Sequence, residues 1–157
     1  MNAIPSLDIV KELEPLTAVV REFVKSFDEE YDAVLGPGFM ANMDEDVVVY
    51  SIAMSDAGGQ SFRDNFVKRF PKCDCLSTFA LSLFHEVGHL ETEWDMDDDV
   101  ELRNSDKMDD ETYYNLHNEW IATQFAGEWA TSHLEKAKQF DLKFNEVARA
   151  IIGRLLD

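Results

Sequence analysis

Phe84-His85-Glu86-Val87-Gly88-His89-Leu90 is the stretch that most limits what this chain can fold into. It reads H-E-x-x-H inside an apolar run. On a helix, residues four apart sit one turn apart on the same face, so His85 and His89 can reach a single ion. Glu86 is rotated by about 100° from His85, which sets its carboxylate beside such an ion, placed to take a proton from water. Two solvated histidines would suit an exposed helix equally well, but the neighbours point elsewhere. Leu76, Phe79, Ala80, Leu83, Phe84 and Val87 recur at i, i+3, i+4, i+7 and mark a buried face. Thr78, Ser82, His85 and His89 form a polar stripe opposite. A helix that buries one stripe and lines a cleft with the other suits a metal site.

A catalytic zinc ion commonly takes three protein ligands and leaves one position to water. Glu93 shares the histidine face, yet at ~1.5 Å per residue it lies about 12 Å along the axis from His85. That is too far for bonds of about 2.0–2.2 Å, and Glu91 points to the other side. The third ligand is therefore expected from another helix. Glu119 is preferred because Ala122 and Ala126, three and seven residues on, place small side chains along its stripe and permit close helix approach. Glu128 is the chief alternative, more than two turns further on and at a different rotation.

Around that helix the pattern predicts an α+β fold, a single domain over residues 1–157, mostly helical with a small antiparallel β-sheet or hairpin ahead of the histidine helix. Ser6 is placed to cap a short helix over Leu7 to Leu13. Pro15 opens a longer one to about Leu35, stopped by Gly36-Pro37-Gly38. Phe39 to Met43 and Val47 to Met54 read as two strands joined around Asp44-Glu45, and their edge is the evident candidate for pairing with an extended peptide. Asp56-Ala57-Gly58-Gly59 reads as a turn, and Ser61 to Phe70 as a short helix with Phe62, Phe66 and Phe70 every fourth residue. Glu91 to Glu111 loses all periodicity and reads as an acidic loop, densest over residues 95–111. Thr112 to about Phe140 returns to helix. Asp141 then reads as the cap of a final helix, Leu142 to Leu156.

A formal charge of −18 on 157 residues repels phosphate backbones, which argues against direct nucleic-acid binding and favours a protein or peptide partner, a basic one included. No run of about 18 apolar residues suits a membrane span. Met1 to Ser6 lacks the basic and apolar regions of a signal peptide. Cys73 and Cys75 form a C-x-C pair, a poor disulfide framework, and read as free thiols. A cytoplasmic location is the expectation, and the sequence leaves the oligomeric state open.

His85-Glu86-Val87-Gly88-His89, followed by Glu119-x-x-Ala122-Thr123-x-Phe125-Ala126, resembles the gluzincin-type zincin metallopeptidases. It is most similar to the ImmA/IrrE group, whose pattern is H-E-x-G-H and then E-x-x-A-N-x-F-A. The resemblance covers roughly residues 76 to 130. It implies a minimal zincin-like domain with His85, His89 and Glu119 as zinc ligands and Glu86 as general base. It also implies a phage or mobile-element setting and peptide-bond hydrolysis of a protein substrate such as a transcriptional regulator. Thr123 stands where that group has Asn, which changes the side chain that orients a ligand. Gly127-Glu128-Trp129-Ala130 replaces its apolar L-L-M-P continuation. No helix-turn-helix is read in the chain, so partner recognition is expected within this domain.

Hydrolysis needs a donor for the developing oxyanion. Tyr113, Tyr114 and His117 are the candidates, although His117 is turned by about 200° from Glu119 on a regular helix. Two other functions suit parts of the sequence: a non-catalytic binding protein that keeps the fold and the metal, and an acidic DNA-mimic inhibitor, which has no need of H-E-x-x-H.

Overall fold

The computed structural model describes residues 11–52, 56–92 and 116–156. Helix α1 spans Glu14–Lys25, with Pro15 in its first turn, where a missing N–H is harmless. Strands β1 (Asp32–Leu35), β2 (Met40–Asn42) and β3 (Val47–Tyr50) follow. Then come α2 (Asp56–Arg69), a short 3₁₀ turn (Pro71–Cys75), α3 (Thr78–Thr92), α4 (His117–Ser132) and α5 (Leu134–Leu156). The chain is mostly helical with one small sheet, an α+β fold.

The sheet differs from the antiparallel hairpin expected. Its order is β1-β3-β2, with β2 antiparallel to β3 and β1 parallel to it, so it is mixed. The missing strand lies in the stretch read as the end of the longer helix opened by Pro15. That helix stops at Lys25, where Ser26 turns its hydroxyl back onto the Phe23 carbonyl at 2.5 Å. Tyr31 and Ala33 are buried while Val34 is exposed, a two-residue alternation that fits a strand with one face in the core.

Helix α2 begins at Asp56, five residues before the expected start, and takes in the predicted turn. The helix read from 112 to 140 ends at Ser132, beside His133. Asp141 caps nothing: it sits inside α5 and is buried. Its carboxylate accepts from the Ser77 amide at 2.8 Å and the Ser77 hydroxyl at 2.6 Å. Ser77 is itself the N-cap of α3, its oxygen accepting the Ala80 amide at 3.1 Å. One carboxylate of α5 thus fixes the end of the helix that carries both histidines. The expected helix over 7–13 lies largely outside the described residues; Glu91 and Thr92, read as the start of the acidic loop, are the last residues of α3, and the rest of that loop, with Tyr113 and Tyr114, lies outside the described residues.

Helix α3 is buried almost all round. Ala80, Leu81, Leu83 and Val87 are fully enclosed, and Phe84 and Leu90 are 1 % exposed. Phe84 packs at ring-centroid distances of 5.1 Å from Phe23 and 5.3 Å from Trp129. Phe23 stacks on Phe140 at 4.3 Å, and Phe79 on Phe144 at 3.8 Å. These rings join α1, α4 and α5 around α3 and make it the axis of the core, with each pair contributing about 0.5–1.5 kcal/mol beyond its buried area. Cys73 is buried and Cys75 exposed, both free thiols. Among the described residues no helix is long and apolar enough to cross a membrane.

Candidate metal centre

Helices α3 and α4 touch through their backbones. A side chain at Gly88 would put its Cβ 2.3 Å from the Ala122 carbonyl oxygen, so only glycine fits there. Ala122 and Ala126 are buried at the same seam. The small-residue stripe read in the sequence therefore lines the contact it was expected to allow. The histidine face of α3 is thereby set directly against the Glu119 face of α4.

His85, His89 and Glu119 are all buried, at 6 %, 6 % and 4 % exposure. Their ligand atoms lie within 4.8 Å of one another. His85 Nε2 stands 3.1 Å from Glu119 Oε1, and His89 Nε2 stands 2.9 Å from Glu119 Oε2. Tetrahedral ligands with bonds of ~2.1 Å lie roughly 3.4 Å apart. The observed spacings approach that value, and the group can hold a metal ion. Burial by itself pushes the Glu119 carboxyl up. Hydrogen bonds and charge from the two imidazoles outweigh it and hold the group well below the usual carboxylate range.

Further contacts orient these donors. Thr123, one turn beyond Glu119 on α4, places its Oγ1 2.8 Å from His85 Nδ1. For His85 to offer its Nε2 lone pair to an ion in the cup, the ring proton must sit on Nδ1, where Thr123 Oγ1 is placed to accept it. The threonine at this position thus makes a contact that orients the His85 ring. Asn118 is fully buried, and its Nδ2 lies 3.3 Å from Glu119 Oε2. Phe62 of α2 lies edge-on to His85, with centroids 5.3 Å apart. Arg69, at the end of α2, donates from Nη2 to the Trp120 carbonyl at 3.1 Å and to Gln124 Oε1 at 2.8 Å, its guanidinium over the Trp120 ring. The Phe62, Phe66, Phe70 repeat announced a helix, but Asn118 and Arg69 carried no signal in spacing or motif.

Glu86 is not part of the triad. It is partly buried on α3, and burial pushes its carboxyl up. The nearby imidazoles of His85 and His89 oppose that push, and the charge on Glu119 adds to it.

The other acids considered fall away from the cup. Glu91 meets the Tyr31 hydroxyl instead. Glu128 is exposed and accepts from Gln124 Nε2 at 2.6 Å. Glu93 and the side chain of His117 lie outside the described residues. His133 is exposed, stacked on Trp129 with its Nδ1 3.0 Å from the Trp129 carbonyl. The chain matches no family model, no curated protein and no solved structure.

Proposed function

We propose that this chain is a zinc-dependent peptidase of the zincin type, similar to the ImmA/IrrE group, cutting a peptide bond in a protein substrate. The observation that carries the reading is the convergence of two imidazole Nε2 atoms and one buried carboxylate, with Glu86 next to them. Two nitrogens and one oxygen are a donor set suited to zinc at a site that leaves a coordination position open. When bound, zinc supplies Lewis acidity that polarises a carbonyl and brings the pKa of water toward ~7.

The chain's own residues do the rest. His85, His89 and Glu119 hold the ion, and Thr123 fixes the His85 ring. Glu86, next to His85 on the helix that carries both histidines, takes a proton from the attacking water and delivers it to the leaving amine. Phe62 closes one side of His85 against solvent.

The test is metal analysis of purified protein combined with cleavage assays on candidate substrates. Wild type is expected to retain about one equivalent of zinc, with His85→Ala and Glu119→Ala losing it. Glu86→Gln is expected to keep the metal and lose cleavage. Full cleavage by Glu86→Gln overturns the mechanism, and undiminished zinc in Glu119→Ala overturns the ligand set. A protein that holds zinc and retains its partner while cutting nothing is a binding module on the same scaffold.

A further inference from the structure

Among the described residues, the three-stranded sheet has one face packed under helices and one face that is largely exposed, with Val49 half-buried between Val34 and Met40. Ala33 and Val48 point inward and are fully buried, below α1 and α3: the Tyr50 hydroxyl meets Thr17 Oγ1 at 2.5 Å, and its ring meets Phe79 at 6.1 Å. On the opposite face, pairing places Val34 beside Val49 and Val49 beside Met40, one row across all three strands. Val34 is 42 % exposed and Met40 55 %. Solvated sheet faces are ordinarily polar, whereas an apolar patch with a polar rim marks a surface that meets another molecule.

Among the described residues, one end of the sheet is predominantly acidic. Because β1 and β3 run parallel, the segment entering β1 and the turn entering β3 lie at the same end of the sheet, tied by the Asp32 amide donating to the Asp46 carbonyl at 3.1 Å. That end gathers Asp28, Glu29 and Glu30 from one segment and Asp44, Glu45 and Asp46 from the other. All but Asp46 are exposed. Two cations described at that end, Arg21 and Lys25, are hydrogen-bonded within it. Arg21 pairs with Asp32 at 2.6 Å and Glu14 at 3.6 Å, and Lys25 Nζ donates to the Glu29 carbonyl at 3.0 Å.

We infer that the outer face of the sheet is a docking surface for a cationic amphipathic polypeptide, its apolar side chains on Val34, Val49 and Met40 and its basic ones on the acidic end. Charge selects this occupant. A second copy would bring another chain of formal charge −18 against the same acidic rim, with like charges opposed. The inference is independent of the metal centre and stands or fails separately from the peptidase reading.

The test is fluorescence anisotropy of the full chain with two labelled short peptides of equal charge, one alternating leucine with lysine, the other serine with lysine. The leucine peptide is expected to bind about tenfold more tightly, the size of one good interface anchor. In Val34→Ser/Met40→Ser that preference is expected to fall below about twofold, with zinc content unchanged. Asp44→Asn/Glu45→Gln is expected to weaken both peptides and flatten the salt dependence. Equal binding of the two peptides by wild type, or a leucine preference that survives Val34→Ser/Met40→Ser, overturns the proposal. So does concentration-dependent dimerisation that the same double variant abolishes, because the occupant is then a second copy.

Discussion

Thr123 and Gly88 show how much the arrangement of the candidate metal cup depends on atoms outside His85, His89 and Glu119. Thr123→Val keeps the shape and removes the oxygen that meets His85 Nδ1. Metal affinity is expected to fall by about 10–100-fold, read by chelator competition, while Thr123→Asn restores most of it. Unchanged affinity in Thr123→Val would mean that packing alone orients the ring. Gly88→Ala forces a Cβ into the Ala122 carbonyl. Destabilisation of about 1–3 kcal/mol is expected in urea unfolding, together with loss of bound metal as the helices part. At this scale the sequence made legible the grouping of His85, His89 and Glu119, which could hold a metal ion. The histidine spacing follows from helix geometry, and the alanines beside Glu119 announced a close approach. It was silent on Asn118 and Arg69, whose roles arise from which neighbours the fold brings to them.

Elements whose identity rests on distant pairing were the hard ones to read. Residues 32–35 are too few to show their period against a strong helical pattern upstream, and what makes them a strand is β3, whose Val47 to Tyr50 they meet. The start of α2 was obscured by two glycines that favour a turn locally. Asp141 misled for a related reason. An aspartate ahead of an apolar periodic stretch has the pattern of a cap, yet its partner is the cap of another helix. Asp141→Ala removes a buried acceptor from Ser77 and Asn145. It is expected to cost about 2 kcal/mol, with faster amide exchange in the first turn of α3 than elsewhere in that helix. Uniform exchange along α3 in the variant would show that the core rings alone hold its start.

Across the whole molecule, 32 acidic residues stand against 14 basic ones, and the compact state works against its own repulsion. Added salt screens that repulsion. Raising sodium chloride from dilute buffer to about 0.5 M is expected to stabilise the fold by about 1 kcal/mol, or roughly 2–4 °C in Tm for a chain this size. A falling Tm would show that the ion pairs of Arg21 and Arg63 outweigh the general repulsion. The seam between the two central helices has a consequence for redesign. With backbone already against backbone, neither helix can slide inward to rescue a shorter donor, so the scaffold works as a fixed gauge. Glu119→Asp retracts the carboxylate by about one carbon–carbon bond, roughly 1.5 Å, and no repacking nearby can make up the shortfall.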